Sequence, residues 1–437
     1  MTGVSEAIVP VAGSIDATDA IEAADAMGSA DTTDAAATGP RGLRLPDGLV
    51  DAVALFLTLR VALSLVAVYA WWKGGLPGPC HFELARDGWL TVPRIADGPT
   101  EFPLVGVWQR WDACWYGKIA SFGYEPAEMS ANFWPMFPIL VGFVGRLVGG
   151  SVALGGLIVS SIAYVAAMVG LVRLVGRDFD GVVGRRTILL LSIFPSAFFL
   201  FAPFTEATFL ALAVWSIAMA RERRWLLAGV FGFLAGLTRI QGVFLVLPIG
   251  WEAVAAAGLL AWRPGRAVGG GHIGVDQLVR GGSAAMGPGL AFVGFLGFTA
   301  LTVGKTPLDT QDAWGGKEFF PPWDVAAAAW RWTVERHDPL QALNLVLLVL
   351  VIGLLIAGIR RLPVAYTLFA VPQVLLLATR IQPTPLTSTN RYLLVVFPAF
   401  VVLALIPWQR VRVAWAITST LFLAVLLQAF LAGDYVA

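Results

Sequence analysis

Most of this chain is a succession of apolar runs, and that pattern leaves few folds open to it. A bilayer core about 30 Å thick is crossed by roughly 20 consecutive apolar residues in a helix. Segments 49–72, 152–172, 187–204, 205–220, 225–239, 241–262, 284–303, 340–359, 363–379, 391–407 and 413–432 meet or approach that length. Only 14% of the 437 residues are charged and 57% are hydrophobic; a soluble protein carries about 25% charged residues. So few charges cannot cover so much apolar surface in water. The sequence therefore reads as an all-α polytopic membrane protein with about eleven transmembrane helices. Soluble enzymes, disordered scaffolds and nucleic-acid binders are excluded, and a net charge of +1 names no electrostatic partner.

Residues 1–47 differ from the rest. They are rich in Ala, Asp, Thr and Gly, nearly free of aromatics, and lack an apolar face, which predicts a disordered tail. No basic segment followed by an apolar run marks a secretory signal. Residues 48–437 form the membrane domain. Segment 132–149 is apolar but short, with two prolines and an arginine, so charge placement decides its role. Short cytoplasmic loops collect Lys and Arg. If 132–149 does not cross, fourteen arginines face one side: Arg173, Arg177, Arg185, Arg186, Arg221, Arg223, Arg224, Arg263, Arg266, Arg280, Arg360, Arg361, Arg410 and Arg412. The opposite short loops keep only Arg239, Arg380 and Arg391. Segment 132–149 is thus expected as an amphipathic or re-entrant helix on the outer face, with the N-terminal tail cytoplasmic. Two long outer segments follow, 73–151 and 304–339, both rich in aromatics and proline and expected to hold interfacial helices.

The cytoplasmic loops are too short for a nucleotide site. No P-loop pattern and no strand-linked GxGxxG occur. Chemistry is therefore expected at the outer membrane surface on a substrate delivered there, for which a lipid-linked donor is the natural class. In the first outer segment, Trp108, Trp111, Trp115 and Ile119 would form an apolar stripe if 108–124 were one helix lying in the headgroups, with Asp112 at its edge. Partial desolvation makes such a carboxylate more basic and suits it to general-base work. The same spacing also describes an interfacial helix with one solvated Asp. Glu206, Arg239 (followed by Gln241) and Arg391 (followed by Tyr392) fall at three outer turns, at one depth. Arginine suits phosphate, although snorkelling anchors and an ion pair would look alike. Gln311 and Trp314 in the second outer segment suit a sugar's hydroxyls and face, or an exposed turn. Arg60, mid-span, must find a partner or a polar cavity. Cys80 and Cys114 share the first outer segment, either as a disulfide or as two thiols. The three histidines are far apart, so no metal ligand is assigned.

Five ordered patterns, spanning about residues 50–410, resemble the PIG-V family, the second mannosyltransferase of GPI-anchor assembly, and its bacterial relatives. They are Trp111-Asp112-Ala113 with Tyr116 and Gly123-Tyr124; Phe133-Trp134-Pro135 through Pro138; Phe194-Pro195 through Thr205-Glu206; Leu237-Thr238-Arg239 with Gly242; and Asn390-Arg391-Tyr392 with Phe397-Pro398. Trp115 stands where many members carry His, and Ala207 where many carry Ser. The resemblance implies a GT-C-like glycosyltransferase that moves mannose, with inversion, from polyprenyl-phosphate mannose to a glycolipid, lipoglycan or protein acceptor. Asp112 matches the family's acidic residue of the first outer loop, the expected base. Trp111, Tyr116, Glu206, Arg239, Gln241, Gln311, Trp314, Arg391 and Tyr392 are the expected substrate contacts. No cofactor beyond the lipid-linked donor is implied, and dependence on a divalent metal stays open. An Ala/Gly/Val/Arg-rich composition points to a bacterial plasma membrane, with membrane lipids as surroundings. A transporter or lipid flippase would also account for Arg60 and the aromatic outer segments. A non-catalytic partner of another transferase is the third reading.

Overall fold

The computed structural model describes residues 46–74, 76, 102–125, 129–261, 274–310 and 318–436. The tail expected disordered therefore lies outside the described residues except at its last two positions, and so do Cys80, Gln311 and Trp314. Helices dominate the described chain: α1 (Leu49–Trp72), α2 (Asp112–Phe122), α3 (Met136–Leu147), α4 (Val152–Asp178), α5 (Gly181–Ser192), α6 (Glu206–Arg221), α7 (Trp225–Gly236) and α8 (Val246–Ala256). Then come α9 (Val275–Thr302), α10 (Pro307–Thr310), α11 (Pro322–Arg336), α12 (Pro339–Gly358), α13 (Val364–Ala378), α14 (Thr389–Leu393), α15 (Phe397–Ala404) and α16 (Gln409–Ala432). Among the described residues one two-residue antiparallel ladder pairs Ile381–Gln382 with Thr384–Pro385.

Among the described residues five helices, α1, α4, α9, α12 and α16, are long and apolar enough to cross a membrane. The other expected spans are shorter or broken. Segment 187–204 holds the end of α5, an irregular stretch around Pro195, and a 3-10 turn at Ala197–Leu200; proline lacks the N–H a helix interior needs. Segment 391–407 is divided between α14 and α15. At 1.5 Å per residue the twelve-residue α3 is about 18 Å long, too short to cross. It presents Ile139, Phe143 and Leu147 outward, one turn apart, and buries Phe137, Val141 and Gly145.

The breaks need partners for their freed carbonyls. Arg60 of α1 supplies one: its Nη2 donates to the Phe201 carbonyl at 2.9 Å and to Ser161 Oγ at 3.4 Å, with the Trp108 ring 5.5 Å away. The mid-span arginine thus clasps a helix break. A second clasp ties α4, α6, α8 and α13 together. Arg221 bonds Asp178 at 2.8 Å and Glu252 at 2.8 Å, and Tyr366 donates to Asp178 at 2.7 Å. Arg221 ends α6 and Glu206 begins it, so these groups are separated by about 22 Å of helix. The α7–α9 seam is close enough that a Cβ on Gly287 would come within 2.6 Å of the Gly229 carbonyl oxygen. Small residues permit such approach between membrane helices.

Candidate functional site

Five chain segments converge at the Glu206 end of α6. Glu206 lies at the start of that helix and is fully buried. Its Oε1 accepts from Arg239 Nη1 at 2.5 Å and from Arg391 Nε at 2.5 Å. Arg391 Nη1 donates in turn to Asp112 Oδ2 at 2.5 Å. A chain of alternating charge results: Arg239, Glu206, Arg391, Asp112. Burying Glu206 alone would be costly, and two guanidinium partners offset that cost.

Local backbone explains the placement of each group. Trp111 takes φ 51°, a region that non-glycine residues rarely enter. That turn starts α2 at Asp112, where the helix N-terminus favours a carboxylate. Leu386 and Ser388, at φ 55° and 61°, shape the loop before Arg391. From α12, Gln341 donates to the Pro385 carbonyl and Asn344 donates to that of Leu386 at 3.2 Å, which pins the loop. Asn344 Oδ1 also accepts from the Asn390 N–H. Backbone strain of this kind concentrates where surrounding structure holds a functional group in place. Arg239 follows α7 and precedes the 3-10 turn Ile240–Leu245. Gly242 lets that turn lie on α7, because a Cβ there would sit 2.5 Å from the Ala235 carbonyl oxygen.

Two adjoining cavities open beside the chain of charge. The inner one, about 120 Å³, is lined by Tyr116, Thr205, Thr238, Arg239, Gln241 and Arg391, among others. The outer one, about 360 Å³, includes Trp111, Trp115, Thr384, Ser388 and Tyr435. Asp112, Asn132, Phe133, Arg391 and Tyr392 belong to both. Asp112 thus sits at the junction, its side chain 27% exposed. Its Oδ1 has no hydrogen-bond partner among the described residues. Each guanidinium has five N–H donors. Arg391 spends two of them on Asp112 and Glu206. Arg239 spends two on Glu206 and Gln241. Two guanidiniums and two carboxylates balance in charge, but both arginines line the inner cavity whereas Glu206 does not. Tyr392 covers Arg239 at 4.7 Å, and Phe204 covers Arg391 at 4.7 Å. Burial, then the nearby Asp112 carboxylate, push the Tyr116 phenol well above its ordinary pKa, so it stays a neutral hydroxyl.

The structure thus brings together eight of the sequence-derived candidates: Asp112, Trp111, Tyr116, Glu206, Arg239, Gln241, Arg391 and Tyr392. Glu206 lies behind the cavity wall, where it joins the two arginines. The tryptophan stripe is corrected. Residues 108–124 are not one helix lying in headgroups: Trp108 belongs to a 3-10 turn, the backbone turns at Trp111, and Trp108, Trp115 and Ile119 are buried in the protein. Trp115 stacks on Phe133 at 5.2 Å and Trp108 packs on Phe430 at 6.4 Å. Their bulk serves packing, which outweighs interfacial anchoring once α3 and α16 cover them. Cys114 is disulfide-bonded. Asn132, Ser388 and Tyr435 line the site without having been singled out from sequence. Tyr435 packs edge-on against Trp111 at 5.1 Å and bonds Ser388 at 2.7 Å; a lone tyrosine 43 residues beyond Tyr392 carries no local signal. Among the described residues no three His, Cys, Asp or Glu side chains gather as a metal-binding group.

No protein-family model matches the chain, and no curated protein matches it. Solved structures of the oligosaccharyltransferase AglB of the archaeon Archaeoglobus fulgidus do resemble it. One, in complex with zinc and sulfate, is 14% identical, covers 86% of this chain and 53% of its own, and gives a TM-score of 0.40. Another, tethered to an acceptor peptide, is 14% identical over 87% and 55%, with a TM-score of 0.42. A third, holding an inhibitory peptide and a dolichol-phosphate, is 12% identical over 87% and 56%, with a TM-score of 0.41. The chain spans about half the length of these structures, and at such scores the likeness carries no weight for activity.

Proposed function

We propose that the protein is a GT-C-like membrane glycosyltransferase. In this reading it transfers mannose, with inversion, from polyprenyl-phosphate mannose to an acceptor at the outer membrane face. The single observation that carries the reading is the placement of Arg391, which joins Asp112 to Glu206 on the wall of two cavities. A polyprenyl-phosphate sugar is a phosphodiester with one negative charge, and the guanidiniums of Arg239 and Arg391 are the positive groups on the inner cavity's wall. The spare N–H groups of Arg239 and Arg391 suit its phosphate oxygens. The outer cavity, walled in part by Trp111 and Tyr435, offers aromatic rings to a sugar acceptor.

Asp112 stands between the two. An acceptor hydroxyl gives its proton to Asp112, and its oxygen bonds to the anomeric carbon. The bond from that carbon to the phosphate oxygen breaks, and its electron pair leaves on the phosphate. The growing charge there faces guanidiniums already fixed by Glu206, so stabilising it needs little reorganisation. The phosphate needs no proton to depart, so one carboxylate suffices; hydrolases of glycosides use a pair. The PIG-V-like patterns supply the mannose and the lipid donor in this reading, since they contribute Asp112, Glu206, Arg239 and Arg391 in order.

The test is to incubate membranes with labelled polyprenyl-phosphate mannose, with and without the protein, and to identify the labelled lipid or polymer. Label that appears only with the protein supports the reading. Substrate crossing proteoliposomes with no glycosyl transfer would favour the flippase instead. Arg60, one of the residues that a transporter would explain, is engaged in clasping the break at Phe201.

A further inference from the structure

Two grooves follow the seam between α7 and α9. One, about 620 Å³, lies beside the site and includes Tyr124, Pro135, Phe143 and Leu237. Its Pro135 and Leu237 directly adjoin Trp134 and Thr238, which line the inner cavity. The other, about 770 Å³, includes Arg223, Arg224, Val230, Arg280 and Gly287. Phe233 and Leu290 line both, so the two are one continuous groove along the whole of α7. Its wall is apolar and outward-facing: Leu226 is 81% exposed, and Val230, Phe233 and Leu290 are exposed too. Acyl chains, not water, suit such a wall.

The end distant from the site is different in kind. Arg223 and Arg224 precede α7, close in sequence to the Arg221 clasp. Their guanidinium groups form no hydrogen bond or ion pair with any described residue, whereas Arg280 opposite them is paired with Asp276 at 2.7 Å. Two unpaired cations thus stand at the mouth of a chain-shaped apolar groove. Arginines beside a membrane-embedded groove attract anionic headgroups.

We propose that this groove is a binding site for an anionic phospholipid of the leaflet opposite the candidate site, with the lipid phosphate between Arg223 and Arg224 and an acyl chain along Val230 and Phe233. The site is separate from the proposed transfer chemistry and does not depend on it. Its occupant would form part of the wall against which α7, and through it Arg239, is held.

The test uses the purified full chain in detergent, with dioleoyl phosphatidylglycerol, dioleoyl phosphatidylcholine or inorganic phosphate added. Native mass spectrometry reads bound lipid, and thermal denaturation reads stabilisation. Phosphatidylglycerol is expected to be retained and to raise Tm above the value with phosphatidylcholine. R223Q/R224Q should weaken its retention roughly thirty-fold, from two surface arginines at the usual contribution each. R360Q/R361Q removes two exposed arginines from the same face, outside the groove, and should leave retention unchanged. V230W fills the groove without altering charge and should also displace the lipid, which keeps the test decisive if R223Q/R224Q does not fold. Equal retention of both lipids, equal loss in the two arginine double variants, or the same stabilisation by inorganic phosphate would overturn the proposal.

Discussion

Replacing Arg391 by lysine separates geometry from charge at the candidate site. The guanidinium reaches Glu206 through Nε and Asp112 through Nη1, each at 2.5 Å. These atoms lie on different edges of one plane, and three further N–H groups remain for a ligand. Lysine keeps the charge, so Glu206 is not stranded and the fold should survive. Its single ammonium cannot serve both carboxylates and still present a planar pair of donors to a phosphate. One hydrogen bond between charged groups contributes about 1.5–3 kcal/mol. Losing one in the transition state corresponds to a rate loss of roughly ten- to a hundred-fold. The assay is the initial rate of label transfer from polyprenyl-phosphate mannose at limiting and saturating donor, with gel filtration and Tm as controls for folding. A loss confined to limiting donor would mean that Arg391 grips substrate and transition state alike; a loss in both means that it acts on the departing phosphate. A folded R391K protein within threefold of wild type at every donor concentration would refute the assignment of phosphate contact to Arg391.

Other perturbations test separate parts of the account. G242A drives a Cβ toward the Ala235 carbonyl oxygen at 2.5 Å and should cost about 1–3 kcal/mol, read as a lower Tm together with reduced transfer. R221M leaves the part-buried Asp178 and Glu252 without their cation; a loss of about 1.5–3 kcal/mol is expected, and an unchanged Tm would show that the clasp is incidental. Tyr116 has a phenol pKa raised above the ordinary 10.0, burial being the largest cause and the Asp112 carboxylate the next. The unfolded chain loses this proton first as pH rises, so its contribution to stability should be level below about pH 10 and fall above it. Y116F should flatten that fall, and an identical high-pH profile in Y116F and wild type would contradict the placement of the phenol.

How much of this was legible beforehand depended on whether the signal was local. The all-helical membrane character follows from composition, because charge is scarce along the whole chain. Glu206, Arg239 and Arg391 were legible as polar residues at the ends of apolar runs, where an ionisable group is expensive without a purpose, and Asp112 as a carboxylate among the tryptophans of the first outer segment. Their sequence did not reveal that Glu206 sits behind the two arginines, since depth behind a cavity wall is a tertiary property. Helix length was less legible. Segment 187–204 has the apolarity of a span, yet Pro195 and the carbonyl that Arg60 accommodates at Phe201 turn it into a helix and a break. The tryptophan stripe misled for a related reason: a period of 3.6 predicts a shared face only if the helix is continuous, and Trp111 interrupts it. Tyr435 was invisible because its contact with Trp111 joins positions 324 residues apart.

The central claim is that Asp112 takes the proton of an acceptor hydroxyl while the guanidiniums hold a lipid phosphate. The most direct measurement is single-turnover transfer by purified D112N, with donor binding followed in parallel. Asparagine keeps the shape and removes the base, so the account predicts transfer slower by at least about 10²-fold with donor still bound. Transfer by D112N at a near-normal rate would contradict it.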